Sequence, residues 1–291
     1  MSERYPETMS AHEQAAEPAP DDAVTGADDG ATPNPAEAEH EVEPADRVGA
    51  AYILGRLLLL PTTRVLFRPR IEGRENVPLT GPVILASNHL SFIDSIAIPV
   101  ASPRVVRFLA KSDYFDGPGL KGRLSSTFFT AVGARPVRRG AGQAALEALE
   151  QQKAFLDDGQ AVALYPEGTR SRDGRLYKGR TGVAFLALQT GAPVVPVGLI
   201  GTNKVMPIGA TVPRLRPRIT IRFGEPLDLS RHGAPTSGRA RRTATEELMA
   251  AIHALSGQEL ANAYNEPPAE SPIKRLKQAL PLERRGTGEP S

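Results

Sequence analysis

The chain has 291 residues, of which 40% are hydrophobic, with no cysteine, no tryptophan and a formal net charge of +2. That length allows one large domain or two small ones, with ample material for a core. The lack of cysteine excludes disulfides, thiolate zinc sites and cysteine nucleophiles. The small net charge hides an asymmetry. Residues 1–46 hold 13 acidic residues against Arg4 alone, a net −12, and the remainder holds 34 basic residues against 20 acidic ones, a net +14. A basic body points to anionic partners: nucleic acid, a phosphate-bearing substrate or an anionic membrane surface.

Residues 1–46 are rich in Ala, Pro and Glu, with Tyr5 as the only aromatic. Such a segment cannot bury enough apolar area to offset its ordering entropy, and it reads as a disordered acidic tail. Its acidic start, with no apolar core after basic residues, does not read as a secretory signal. Residues 47–70 contain the apolar stretch Val48 to Phe67, VGAAYILGRLLLLPTTRVLF. Its length approaches the roughly 20 residues that span a bilayer. Arg56, Pro61 and Arg64 interrupt it, and a central arginine costs about 2.5 kcal/mol or more in a membrane. Short helices lying in the interface are therefore favoured over a spanning helix, with Arg47, Arg56, Arg64, Arg68 and Arg70 near lipid phosphates. The alternative is a helix docked on the domain's own core.

Residues 71–260 alternate apolar runs with helical stretches. Strands are predicted at 82–87, 104–110, 134–137, 161–165, 193–199 and 218–224. Helices are predicted at 94–100, 119–132, 141–158, 181–190 and 236–255. The 141–158 stretch carries strong helix formers at helical spacing, and Gly159 stops it. Strands alternating with helices imply an α/β domain with a mixed, largely parallel sheet flanked by helices. Pro196 suits an edge strand or a bulge. Residues 261–291 are basic and proline-rich and read as a solvated tail, with IKRLKQAL as a small basic amphipathic segment.

Four short blocks carry candidate chemistry. The first, Asn88-His89-Leu90-Ser91-Phe92-Ile93-Asp94, follows an apolar strand. Ser91-x-x-Asp94 resembles a helix capping box. It also sets a histidine five residues before a carboxylate. A neutral imidazole can take a proton from an alcohol, and a carboxylate on its other nitrogen fixes the tautomer. Ser91 lacks the G-x-S-x-G setting of a hydrolase nucleophile. A metal bound by His89 and Asp94 lacks a third ligand: His12 and His40 lie in the acidic tail, and His232 and His253 lie in remote polar contexts. The second block, Tyr165-Pro166-Glu167-Gly168-Thr169-Arg170-Ser171, ends another strand. Arg170 offers a planar donor fork, Thr169 and Ser171 hydroxyls, and Gly168 close backbone approach, while Arg172, Arg175, Lys178 and Arg180 surround the block. Glu167 would position arginines or accept from a substrate hydroxyl. The third block is Gly133-Ala134-Arg135-Pro136-Val137-Arg138-Arg139-Gly140, and the fourth is Val195-Pro196-Val197. In parallel sheets, sites form beyond the carboxyl ends of strands, where the first two blocks fall. Alone, the first block has a strand end and helix cap as its alternative, the second a polar surface turn, the third a solvated basic turn and the fourth a buried strand.

In order, these blocks resemble the glycerolipid acyltransferase family, particularly the 1-acylglycerol-3-phosphate (lysophosphatidic acid) acyltransferases, whose N-H-x-x-x-x-D, G-x-x-P-V-x-R-like, [FY]-P-E-G-T-R-S and V-P-V blocks they match. The resemblance covers about Ile71 to Leu199. It implies a glycerolphosphate-acyltransferase-like fold. It also implies acyl transfer from acyl-CoA or acyl-carrier protein to lysophosphatidic acid, with His89 as general base and Asp94 holding it. Arg139 and Arg170 would bind the acceptor phosphate, with Glu167, Gly168 and Thr169 shaping that site. Asn88, Lys111, Ser171 and Pro196 would support the site or contact the donor. No metal or redox cofactor is implied. The expected setting is an anionic membrane surface, on the cytoplasmic face of the cell membrane. No recognised nucleic-acid module or aromatic-basic platform supports nucleic-acid binding.

Overall fold

The run Val83 to Ser87 is apolar at nearly every position, which suits a strand only where both faces of its sheet are covered. In the computed structural model, which describes residues 61, 67–137, 143–215 and 217–266, this run is β2 (Val83–Ser87), with all five residues buried. Period two sends Val83 and Leu85 to one face and Ile84 and Ala86 to the other. The two sets belong to separate apolar clusters.

The other strands of the main sheet are β1 (Arg70–Glu72), β3 (Val106–Lys111), β4 (Ala134–Val137), β5 (Ala161–Leu164), β7 (Val194–Ile200) and β8 (Thr220–Phe223). Among the described residues they pair in the order β1-β8-β7-β2-β5-β3-β4. Every neighbouring pair is parallel except β7 with β8. Parallel neighbours cannot be joined by tight turns, so helices cross between them. On one face, α1 (Asp94–Ala101) and α2 (Gly119–Ala131) bury Ile98 and Phe129 against Val83, Leu85 and Phe108. On the other, α3 (Gln143–Asp157), α4 (Gly182–Thr190) and α6 (Gly238–Ser256) bury Leu156, Leu186, Leu248 and Ile252 against Ile84 and Val162. A short α5 (Thr202–Val205) lies between β7 and β8. Strands β6 (Leu176–Lys178) and β9 (Leu260–Tyr264) form a separate parallel pair.

The mixed, largely parallel sheet matches the expectation. The elements absent from the sequence reading are β1, β6, α5 and β9. Each spans three to five residues, too few for a periodic apolar pattern to show. Among the described residues the strands run from β1, which begins at Arg70, to β9, which ends at Tyr264. The acidic tail, the C-terminal segment from 267 and most of 47–66 lie outside the described residues. Phe67 closes the apolar N-terminal stretch and packs on the α1/α2-side core.

Pro196 is not on an edge. It is buried in β7, opposite Ala86 of β2. The irregularity it requires falls in its other neighbour. Val194 pairs with Leu227 and Val197 with Phe223, so two residues of β7 face three of the adjoining chain. That bulge relieves the ladder where proline has no N–H to give.

Replacing Ile84, which is wholly buried at the sheet centre, with alanine is expected to cost about 2–5 kcal/mol. Leu146→Ala on the outer side of α3, where the side chain is 54% exposed, should stay within about 0.5 kcal/mol of the parent. Urea denaturation of the two variants tests this.

Candidate active site

Strands β2 and β5 are adjacent and parallel, and both of the first two blocks begin where these strands end. Ala86 pairs with Leu164. His89 and Glu167 each lie three residues further on, so the ladder delivers them side by side.

Asn88 extends the ladder with its side chain. Its amide oxygen accepts from Leu199 N–H at 2.8 Å, and its Nδ2 donates to the Leu199 carbonyl at 2.9 Å. Nδ2 also donates to Gln258 Oε1 at 2.7 Å, and Gln258 Nε2 donates to the Gly174 carbonyl. The amide is wholly buried, and it imitates a peptide group where the main chain turns away. Gln258, just past the end of α6, carried no signal in the sequence.

His89 Nδ1 lies 2.9 Å from Asp94 Oδ2. The same oxygen accepts from the N–H groups of Leu90 and Ser91, both at 2.7 Å. Asp94 is the first residue of α1 and is wholly buried. A carboxylate there is stabilised by three donors and by the positive end of the helix. As an acceptor it assigns the Nδ1 position the proton, which leaves Nε2 of a neutral imidazole as the basic nitrogen. The ring stacks on Tyr165, with centroids 3.8 Å apart and planes 12° from parallel. The Tyr165 hydroxyl meets Ser95 Oγ at 3.1 Å. Tyr165 stood in the second block with no role assigned; its position at the head of that block was the available signal.

The expected capping box is only half formed. Asp94 reaches back to the Ser91 N–H as such a residue should. Ser91 Oγ, however, accepts from Ile93 N–H at 3.3 Å and donates to the Met206 carbonyl at 2.6 Å. The Ser91 hydroxyl is thus committed to holding the loop after α5.

The second block clamps the first through the main chain. Glu167 Oε1 accepts from His89 N–H at 2.9 Å, and Ser171 N–H donates to the His89 carbonyl at 2.7 Å. Glu167 Oε2 accepts from Tyr177 N–H at 3.0 Å. This differs from the expected setting for Glu167 among the arginines: its two oxygens hold backbone groups. Burial pushes the Glu167 carboxyl up to about 7, against the pull of the two N–H donors and with a further push from the nearby Asp94 and Asp173 charges. Ser171 is buried, and its hydroxyl bridges Asp173 and Gly174 N–H.

Gly168 and Thr169 lie on the outer turn of this loop. Gly168 has φ +75°, and a Cβ there would sit 3.3 Å from the Arg180 side chain, so glycine suits the position on both counts. The Thr169 carbonyl accepts from Asn265 Nδ2 at 3.3 Å. Arg170 is half-buried, and no hydrogen bond or ion pair engages its guanidinium among the described residues. Of the surrounding cations, Arg175 pairs with Asp173 at 2.7 Å, and Arg180 lies over the Tyr264 ring. Lys111 is the last residue of β3, paired with Val137 of β4; its side chain, like the whole of Arg139, lies outside the described residues. Pro196 lies buried in β7 within the sheet core. Among the described residues no three His, Asp or Glu side chains gather as a metal site.

The profile of the Acyltransferase family matches residues 68–200. A chloroplastic 1-acyl-sn-glycerol-3-phosphate acyltransferase of Brassica napus is 33% identical over 145 residues, covering 50% of this chain and 40% of that protein. One from Chlamydomonas reinhardtii is 30% identical over 201 residues, covering 68% of this chain and 58% of that protein. The chain therefore spans roughly half the length of the curated relatives it matches. The crystal structure of the 1-acyl-sn-glycerophosphate acyltransferase PlsC of Thermotoga maritima is 25% identical. It covers 69% of this chain and 80% of that chain, with a TM-score of 0.48.

The raised Glu167 pKa has a stability consequence of definite sign. A carboxyl at about 7 in the folded state and near 4.5 when unfolded favours folding while protonated, and that contribution fades as pH rises through 7. Glu167→Gln, neutral at every pH, removes the slope. Relative to this variant, the parent should lose about 3 kcal/mol between pH 4.5 and 7. Denaturation of both proteins across that range measures it.

Proposed function

We propose that the chain transfers a fatty acyl group from acyl-CoA or acyl-carrier protein to the free hydroxyl of 1-acylglycerol-3-phosphate, giving phosphatidic acid. The observation that carries this reading is the buried His89–Asp94 pair, with Nδ1 held and Nε2 left as the basic nitrogen. The relatives named for this reaction support the choice of acceptor.

In this mechanism His89 Nε2 takes the proton of the acceptor hydroxyl as its oxygen attacks the thioester carbon. The C–S bond breaks, and the leaving thiolate recovers the proton from the imidazolium. Asp94 stabilises that imidazolium without moving. Arg170, together with Arg139, holds the acceptor phosphate by charge-assisted hydrogen bonds. Gly168 and Thr169 shape the turn that presents Arg170. Lys111, the last residue of β3, is proposed to contact the donor. Glu167 and Ser171 hold the His89 main chain, and Asn88 ties the preceding residue to Leu199. The acyl donor is a substrate, so the proposal calls for no cofactor.

Both acceptor and product are lipids, which places the reaction at a membrane surface, on its cytoplasmic face in this reading. Among the described residues no helix is long and apolar enough to cross a membrane. Residues 47–70 are proposed to lie in the interface, with their arginines near lipid phosphates.

Release of free CoA thiol from oleoyl-CoA should occur with lysophosphatidic acid and not with glycerol-3-phosphate or with no acceptor. His89→Ala should lower kcat about 10²–10⁴-fold, the usual contribution of general-base catalysis. Release without acceptor dependence, or full activity in that variant, would rule out the mechanism. Arg170→Ala should raise the apparent KM for lysophosphatidic acid by about tenfold or more, with a smaller effect on the donor.

A further inference from the structure

Helix α2 carries apolar side chains on two opposite sides. On its inner side Phe129 is buried and packs with Phe92, Phe115 and Tyr114. On its outer side Leu120 and Leu124 are 83% and 71% exposed. Spacing of four places these leucines in line with Phe128, one above the other. The helix is fixed close to the preceding chain at Gly122, where a Cβ would fall 1.6 Å from the Gly117 carbonyl oxygen. The leucines are therefore held outward by a helix that cannot roll to bury them.

Phe128 leads to a second apolar feature. Together with Phe67, Ile93, Ile96, Leu215 and Ile221 it lines a cavity of about 300 Å³, whose walls are apolar throughout. One wall is the side of α1, the helix that begins at Asp94. The rim continues along the loop after α5, where Val212 and Leu215 are 73% and 56% exposed. That loop is tied to the catalytic turn by the Ser91 hydroxyl on the Met206 carbonyl. The cations around this surface are Arg68, Arg123, Arg214 and Arg218, all exposed and without an ion pair among the described residues. Asp113 and Asp116, at the amino-terminal approach to α2, are the exposed acids on this side.

We propose that this face, the Leu120–Leu124 stripe of α2 with the 207–215 loop, docks the folded domain on an anionic lipid bilayer, separately from residues 47–70. Leucines on a rigid helix enter the acyl boundary, and the flanking arginines meet lipid phosphates. The combination of protruding single leucines with a cationic rim fits a lipid surface better than a flat protein partner, which would bury a packed centre. The inference rests on the reading of a lipid acceptor, but the test does not depend on turnover.

The parent chain has no tryptophan, so Leu124→Trp introduces a single reporter. Its emission should shift to the blue on adding vesicles containing phosphatidylglycerol and be quenched by brominated acyl chains. Leu146→Trp, on α3 across the sheet, should do neither. A Leu124→Trp spectrum that stays that of a wet indole with vesicles present overturns the proposal. So does a blue shift that grows with protein concentration alone, which would mark a contact between copies of the chain. Leu120→Glu with Leu124→Glu should weaken partition into these vesicles about tenfold or more. The same pair should leave turnover of a short-chain monomeric acceptor within about twofold. Unchanged partition overturns the docking face. Lack of turnover in the parent itself would fault the catalytic reading and leave the spectroscopic result standing.

Discussion

Both main-chain polar groups of His89 are bonded to the loop that follows β5, and much of the site depends on that clamp. Glu167 takes its N–H, Ser171 supplies a donor to its carbonyl, and Tyr165 covers one face of its ring. With the main chain so fixed, a single hydrogen bond accepted by Asp94 defines the orientation of the imidazole. Only then does Nε2 have one direction in which to act as a base. Positioning of this kind is worth as much to a reaction as the basicity of the group, because misplacement by about 1 Å can cost about a hundredfold in rate.

The clamp is built at an energetic cost. Glu167 and Asp94 are both wholly buried, and two carboxylates in one small volume repel each other. Backbone N–H donors offset that cost, two for Glu167 and two for Asp94 in addition to the imidazole. Removing either carboxylate would leave those donors buried and unsatisfied, at about 1–3 kcal/mol each. The geometry of the His89–Asp94 pair and local stability are thus carried by the same hydrogen bonds. This explains why a carboxylate in an arginine-rich stretch of sequence faces peptide groups rather than guanidinium groups. Asn88 plays the same part at the other edge, substituting its amide for a peptide group as β2 leaves the sheet.

The α1 side of the sheet joins the base to the surface. Asp94 opens α1, the side of α1 walls an apolar cavity, and Phe128 of α2 and Pro213 and Leu215 of the 207–215 loop line the same cavity. Ser91 links the same loop to the catalytic turn. A lipid surface meeting this face would lie beside the element that carries the catalytic acid partner, with few intervening parts.

The sequence by itself determined the alternating α/β pattern, the strand end at Ser87, that of β5 to within one residue, and the pairing of His89 with Asp94. Each of these is set by contacts within a few residues or by the period of the apolar positions. Even the half-formed capping box follows this logic, since Asp94 serves the helix start and the imidazole with one oxygen. The tertiary structure decided what distant residues do to one another. The register of β2 on β5 set Glu167 against His89, and it turned an expected arginine partner into a backbone clamp. Of the edge or bulge that its residue type argued for, Pro196 took the bulge, in the middle of the sheet. Gln258 and β9 entered the site's surroundings from the far end of the chain, and the outward turn of Leu120 and Leu124 came from the close contact at Gly122. Strand register, bulges and the direction a helix faces depend on partners far away in sequence, and no local pattern records them.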